Sequence, residues 1–218
     1  LIMSGSRPTV ACEIAADRVI AARSSGSGAV ECASYELLPG SGVPDLTESN
    51  IRARNTVYQT VRETLDHVAG RQRDVIAVLP DAAVRVALLD FESLPKKREE
   101  AEAVVRFRLK KSLPFDVEKA KVSYHAQPSG NGVRAIAAVA LASVVEEYEA
   151  AFHDAGYNPG IVLPSMLAAL GAADAESPSL VVKVDTRTTS IAILDRQQVL
   201  LIRTLDNTSG IPMTGERL

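Results

Sequence analysis

The chain opens with short runs in which apolar and polar residues alternate, the period-two signature of half-buried strands. Residues 9–14 and 18–22 are two such runs, and Ala15, Ala16 and Asp17 between them read as a tight hairpin turn. Residues 24–28 (SSGSG) supply a second turn, and 29–38 a third strand that stops at Pro39 and Gly40. Strands joined this closely predict an antiparallel meander. The period then lengthens. Over residues 51–69, Val57, Val61, Leu65 and Val68 share one helical face, and Gly70 is placed to end the helix. Residues 75–79 are apolar without alternation, as a buried parallel strand would be.

Next come a strand at 84–91, a helix at 96–111, a strand at 120–127, a Gly/Asn turn at 129–132 and a strand at 133–141. This strand–helix–strand–strand unit carries its own hairpin and reads as an insertion. In the following helix Ser143 and Glu146 have the spacing of a capping box. Val144, Tyr148, Phe152 and Ala155 share a face there, and Gly156 stands at the stop. An apolar run at 160–163 and a helix from Pro164 to Leu170 complete this part. Beyond a polar linker at 176–179, strands at 180–184, 190–194 and 199–205 predict a second three-strand meander. The β-β-β pattern thus occurs twice, although the two sequences barely match.

This succession of elements is that of the ribonuclease-H-like half of the actin-like ATPases, in which two halves clasp a nucleotide between their first hairpins. Residues 78–95 (VLPDAAVRVALLDFESLP), 99–125 (EEAEAVVRFRLKKSLPFDVEKAKVSYH) and 139–170 resemble the PilM family of type IV pilus assembly. The resemblance covers most of residues 8–205. It implies an α/β fold: a ribonuclease-H-like (actin-like) subdomain at 8–79 and 143–173, and an inserted strand–helix–strand–strand subdomain at 80–142. The first strands of a second actin-like half follow at 179–206, then a tail at 207–218. It also implies a cytoplasmic scaffold, peripheral at the inner membrane. Such a scaffold binds the short cytoplasmic N-terminus of a PilN-like single-span membrane protein, with self-association as a further expectation. The cytoplasmic domain of GspL, from type II secretion, is the relative from which it must be told apart.

Composition narrows the alternatives. The chain has 218 residues, 46% hydrophobic and 23% charged, which suits an ordinary globular protein. Lys and Arg total 24 against 27 Asp and Glu, a net charge of −3, so no global field would gather nucleic acid. The longest apolar run, 135–142, is far shorter than the roughly 20 residues that cross a bilayer. Arg7, Glu13, Asp17 and Arg18 interrupt any signal-peptide segment near the start. Contact with a membrane is therefore expected only through a partner.

Nucleotide chemistry in this superfamily needs an Asp at each hairpin to organise Mg²⁺ and water, and a Gly that lets backbone approach phosphate. In the first hairpin Glu13 falls at the Asp place and Ala15 at the Gly place. In the second, Thr189 matches the family's Thr when Lys183 takes the Asp place and Asp185 the Gly place. The other register makes Asp185 the acid but puts Arg187 at the Gly and Ile191 at the Thr. The expectation is a scaffold without catalytic residues, metal or cofactor. The rival is an actin-like ATPase that binds ATP and Mg²⁺ through Glu13, Asp185, Thr188 and Thr189.

Residues 96–111 hold seven basic side chains and an apolar stripe of Ala101, Val104, Val105 and Leu109. The plain reading is a helix packed on its own strands with a solvated face. The sharper one is a peptide groove bordered by Arg106, Arg108, Lys110, Lys111, Leu113, Pro114 and Phe115. His67, His125 and His153 lack metal-type spacing, and neither GxSxG nor HExxH occurs. Cys12 and Cys32 are expected on neighbouring strands as small core residues.

Overall fold

The computed structural model describes residues 7–25, 28–173 and 176–207. Positions 26 and 27 of the anticipated turn, and 208–218 of the tail, lie outside the described residues. The first sheet is built from β1 (Val10–Ile14), β2 (Arg18–Ser24), β3 (Val30–Glu36), β4 (Asp74–Leu79) and β8 (Asn158–Pro164), in the order β3-β2-β1-β4-β8. The meander is antiparallel, and β4 and β8 add to it in parallel. Helices α1 (Arg54–Val68) and α3 (Ala142–Asp154) lie against this sheet. Val57, Val61 and Leu65 of α1, Tyr148 and Phe152 of α3, and Val10, Cys12 and Ile14 of β1 close one dry core. Gly70 and Gly156 follow the two helices with φ of +58° and +88°, a conformation that stops a helix cheaply only at glycine.

The inserted unit forms its own sheet, β5-β7-β6, from β5 (Arg85–Phe91), β6 (Ala120–Ser129) and β7 (Gly132–Leu141). Helix α2 (Arg98–Leu109) covers one face of it through Val105 and Leu109, which meet Ala135, Ala137 and Val139. Across the β6–β7 turn Gly132 lies so close to the Phe91 carbonyl that an added Cβ would sit 2.4 Å from it. The second meander, β9 (Ser179–Val184), β10 (Thr188–Asp195) and β11 (Gln198–Asp206), is a third sheet in the order β11-β10-β9. The short helix α4 (Ser165–Leu170) places Met166 against Ala192, Leu194, Val199 and Ile202 of this sheet.

Several sequence expectations change. Helix α3 begins at Ala142 behind Leu141, with no side-chain cap, so Ser143 lies inside the first turn and the capping box does not form. Pro164 ends β8 rather than opening α4, because its extended ψ of 140° keeps it in the strand. Cys12 and Cys32 are not on neighbouring strands, since β2 runs between β1 and β3. Cys12 is buried, whereas Cys32 is exposed on the edge strand.

Candidate functional site

The hairpins β1–β2 and β9–β10 turn alike. Ala15 N–H donates to the Arg18 carbonyl at 2.9 Å, and Asp185 N–H to the Thr188 carbonyl at 2.9 Å. In register, Glu13 pairs with Ile20 one step before the first turn, as Lys183 pairs with Ser190 before the second. The geometry therefore selects the first of the two sequence registers. Lys183 is the counterpart of Glu13, and Asp185 is the counterpart of Ala15.

These counterparts meet. The Lys183 ammonium lies 3.1 Å from Asp185 Oδ2, and 3.5 Å from both Glu13 Oε1 and Asp81 Oδ2. Asp81, in the 3-10 turn Asp81–Ala83 after β4, is buried. Its Oδ1 accepts the Met166 N–H at 2.8 Å, and its Oδ2 accepts the Ser190 hydroxyl at 3.0 Å. Asp185 Oδ1 accepts the N–H groups of Arg187 and Thr188, and Oδ2 accepts the Thr188 hydroxyl as well as Lys183. Thr189 points elsewhere, donating to Asn207 Oδ1 at 2.8 Å. Glu13, Asp185 and Thr188 are thus brought together, and Thr189 is not. Asp81 and Lys183 complete the group. Sequence reading passed over Asp81, whose one signal was an acid set just past Pro80 at the end of an apolar run.

Electrostatics distinguish the surroundings of Glu13 and Asp185. Burial pushes Glu13 above the usual carboxylate range, against the opposing pull of Lys183 and a hydrogen bond from Ser165. Burial also opposes ionisation of Asp185, but the Thr188 and Arg187 N–H groups and Lys183 outweigh it and hold that carboxyl low. Burial disfavours the Lys183 charge too, and Glu13, Asp81 and Asp185 together more than restore it. Three carboxylates surround one ammonium, so a polyphosphate would meet like charge here. The oxygens of Asp185 are already engaged, and no cluster of His, Cys, Asp and Glu among the described residues has a metal-holding arrangement.

The basic helix divides into used and unused charge. The Arg106 guanidinium is tied to Glu102 at 2.9 Å and to the Val117 and Ala120 carbonyls, so it fastens α2 to its own subdomain. Leu113 and Phe115 are half-buried against the β5-β7-β6 core. Arg108, Lys110, Lys111 and Pro114 are exposed.

An apolar groove lies instead on the other side of that sheet, where it meets the first subdomain. It has a volume of about 180 Å³ and is lined by Leu79, Val84, Ala138, Ala140, Val145 and Val162. Lys121 and Glu149 border it and pair at 3.3 Å. Strand β6, along its rim, pairs with β7 on one side only and leaves an open edge.

No protein-family model matches the sequence, and no curated protein matches it significantly. Among solved structures, a chain of a PilM-PilN type IV pilus biogenesis complex is similar with a TM-score of 0.77 and 22% identity, over 90% of this chain and 61% of that one. The cytoplasmic domain of EpsL, an inner membrane component of the type II secretion system of Vibrio cholerae, is similar with a TM-score of 0.60 and 12% identity. That match covers 90% of this chain and 70% of the EpsL domain. The present chain spans about three fifths of the pilus-complex chain. Identities this low show a shared fold, and the fold is the actin-like α/β class that the element order implied. Among the described residues, no helix is long and apolar enough to cross a membrane.

Proposed function

We propose that this chain is a scaffold in an inner-membrane pilus or secretion assembly, and that it holds the cytoplasmic N-terminal peptide of a PilN-like single-span membrane protein. The observation that carries the reading is the likeness over 90% of the chain to one member of a PilM-PilN complex. The groove between β6 and α3 suits such a ligand. An extended peptide adds to the open β6 edge through main-chain hydrogen bonds and sets an apolar side chain among Ala138, Val145 and Val162. This places the peptide away from the Arg106–Phe115 border that the sequence suggested.

A synthetic peptide of the partner's N-terminus, followed by fluorescence anisotropy, tests the site. Ser123, exposed on β6 beside the groove, can become Trp without disturbing the core. Ser123→Trp should weaken capture at least about tenfold, and Arg108→Glu should leave it unchanged. The opposite result would move the peptide to α2 and defeat the assignment. The likeness to the EpsL domain favours, as a second reading, a type II secretion scaffold with the same peptide-holding role. A single-span gene of pilus or secretion type beside this one separates the two. In either case the lysine-filled cluster argues for a scaffold that neither binds nor hydrolyses ATP. Calorimetric titration should give no heat of Mg·ATP binding, and tight binding lost in Glu13→Ala would overturn this.

A further inference from the structure

Helix α2 carries an aromatic ring where a solvated face should be polar. Phe107 is 73% exposed and Val104 36%. Helical geometry puts Ala103, Val104, Phe107 and the C-cap Lys110 on one outward stripe, opposite the buried Ala101, Val105 and Leu109, and the exposed Lys111 follows in the turn. Phe107 therefore belongs to no core among the described residues. Arg108 lies beside the stripe. Arg108, Lys110 and Lys111 have no ion-pair partner among the described residues, in contrast to Arg106 and to Lys97, which Glu100 holds. Arg108 lies near Asp90, but that carboxylate is already bound by Arg134 through both oxygens. Of the three acids of the helix, Glu99 and Glu100 are in its first turn and Glu102 is held by Arg106. About 15 Å of helix separates Glu100 from Lys110. That exceeds the Debye length of about 8 Å at physiological salt, so the basic end acts as a separate patch on a chain of net charge −3.

We propose that the C-terminal end of α2 docks on an anionic lipid surface, with Phe107 set at the headgroup boundary and Arg108, Lys110 and Lys111 facing lipid phosphates. The shape favours lipid over a folded acidic partner. The ring stands 73% exposed on the outer face of a helix, so a rigid surface would leave it half uncovered, whereas a bilayer interface closes around it. Cations flanking an outward aromatic are the composition of interfacial helices. The sequence had suggested membrane contact only through a partner. This patch would add a direct contact, and a weak one, because firm anchoring takes two signals.

The test is co-sedimentation of the whole chain with vesicles of phosphatidylcholine alone and of phosphatidylcholine mixed with phosphatidylglycerol, at low and high salt. Pelleting should require the anionic lipid and fall as salt rises. The triple variant Arg108→Gln, Lys110→Gln, Lys111→Gln should bind on the order of a hundredfold more weakly. Phe107→Ser should weaken binding while leaving the circular dichroism spectrum and unfolding midpoint unchanged, since the ring supports no core. Equal pelleting with both vesicle types, or none with either, would overturn the proposal. So would capture of a polyglutamate peptide by a chain that ignores the vesicles, which would identify an acidic protein as the occupant.

Discussion

The two meanders share a hairpin geometry and an alternating pattern, yet they are buried to opposite degrees. On β1, Val10, Cys12 and Ile14 are 0%, 1% and 1% exposed. Their counterparts on β9, Leu180, Val182 and Val184, are 65%, 52% and 69% exposed. The strand sequences do not account for the difference. Helices α1 and α3 cover the first sheet, and β4 extends it beside β1. Among the described residues the second sheet has neither on that face, and β9 is its free edge. Alternation marks which residues share a face; it does not say what lies over that face. The second sheet is held from its other side, by a small cluster around Met166, Ala192 and Ile202 and by the polar knot at Asp81.

The comparison can be broken most sharply at that knot. Asp81→Ala strips the Met166 N–H, the Ser190 hydroxyl and Lys183 of a shared buried acceptor. Removing one partner of a buried charged network costs about 3–5 kcal/mol, which urea denaturation would register. Because the knot joins the sheets, hydrogen exchange should quicken at Ala192 and Ile202 well before Cys12 and Val61. Equal loss of protection in both sheets would show that Asp81 supports the whole fold and not the docking of the second sheet. The next effect compares counterpart residues directly. Ile14→Ala opens a cavity in the main core and should cost about 3 kcal/mol. Val184→Ala, on the uncovered face, should change stability by less than about 0.5 kcal/mol. Similar costs for both would mean that the β9 face is covered in solution.

Much of the architecture was legible because local signals agreed with the tertiary outcome. Val57, Val61 and Leu65 marked the buried face of α1, Gly70 and Gly156 marked helix ends, and the unalternating run in β4 marked a buried strand. Errors arose where packing overrode a local motif. Ser143 has capping-box spacing, but β7 runs directly into α3 with Leu141 at the cap position, so Ser143 falls inside the first turn and cannot serve as the N-cap. The site was half legible. Hairpin spacing located Glu13, Asp185 and Thr188, whereas Asp81 joins them from a separate strand end and carries no spacing relation to either hairpin. The groove is built from β4, β6, β7, α3 and β8 together, and no single stretch of sequence could announce it. The intramolecular bonds of Arg106 were not legible either, because a cation three-quarters along an amphipathic helix reaches backbone carbonyls beyond that helix as readily as a ligand.

The smallest expected effect separates the acids contributed by the two hairpins. Burial raises the Glu13 pKa above its ordinary 4.5. A carboxyl whose folded value is raised contributes stability that is fully present below 4.5 and fades as pH climbs through the folded value. Asp185 is held below its ordinary 3.8 despite its burial, so its contribution is present above 3.8 and is lost as pH falls through the lower folded value. Stability should therefore decline on both sides of a narrow acid window, from the first hairpin as pH rises and from the second as pH falls. Unfolding midpoints measured from pH 3 to pH 7 give the check. Glu13→Gln should remove the decline on the alkaline side, so its stability relative to the parent rises with pH. Asp185→Asn should remove the decline on the acid side and leave the alkaline one intact. If Glu13→Gln instead loses ground to the parent as pH rises, the ionised carboxylate paired with Lys183 is the favoured state, and the first hairpin acid behaves like the second.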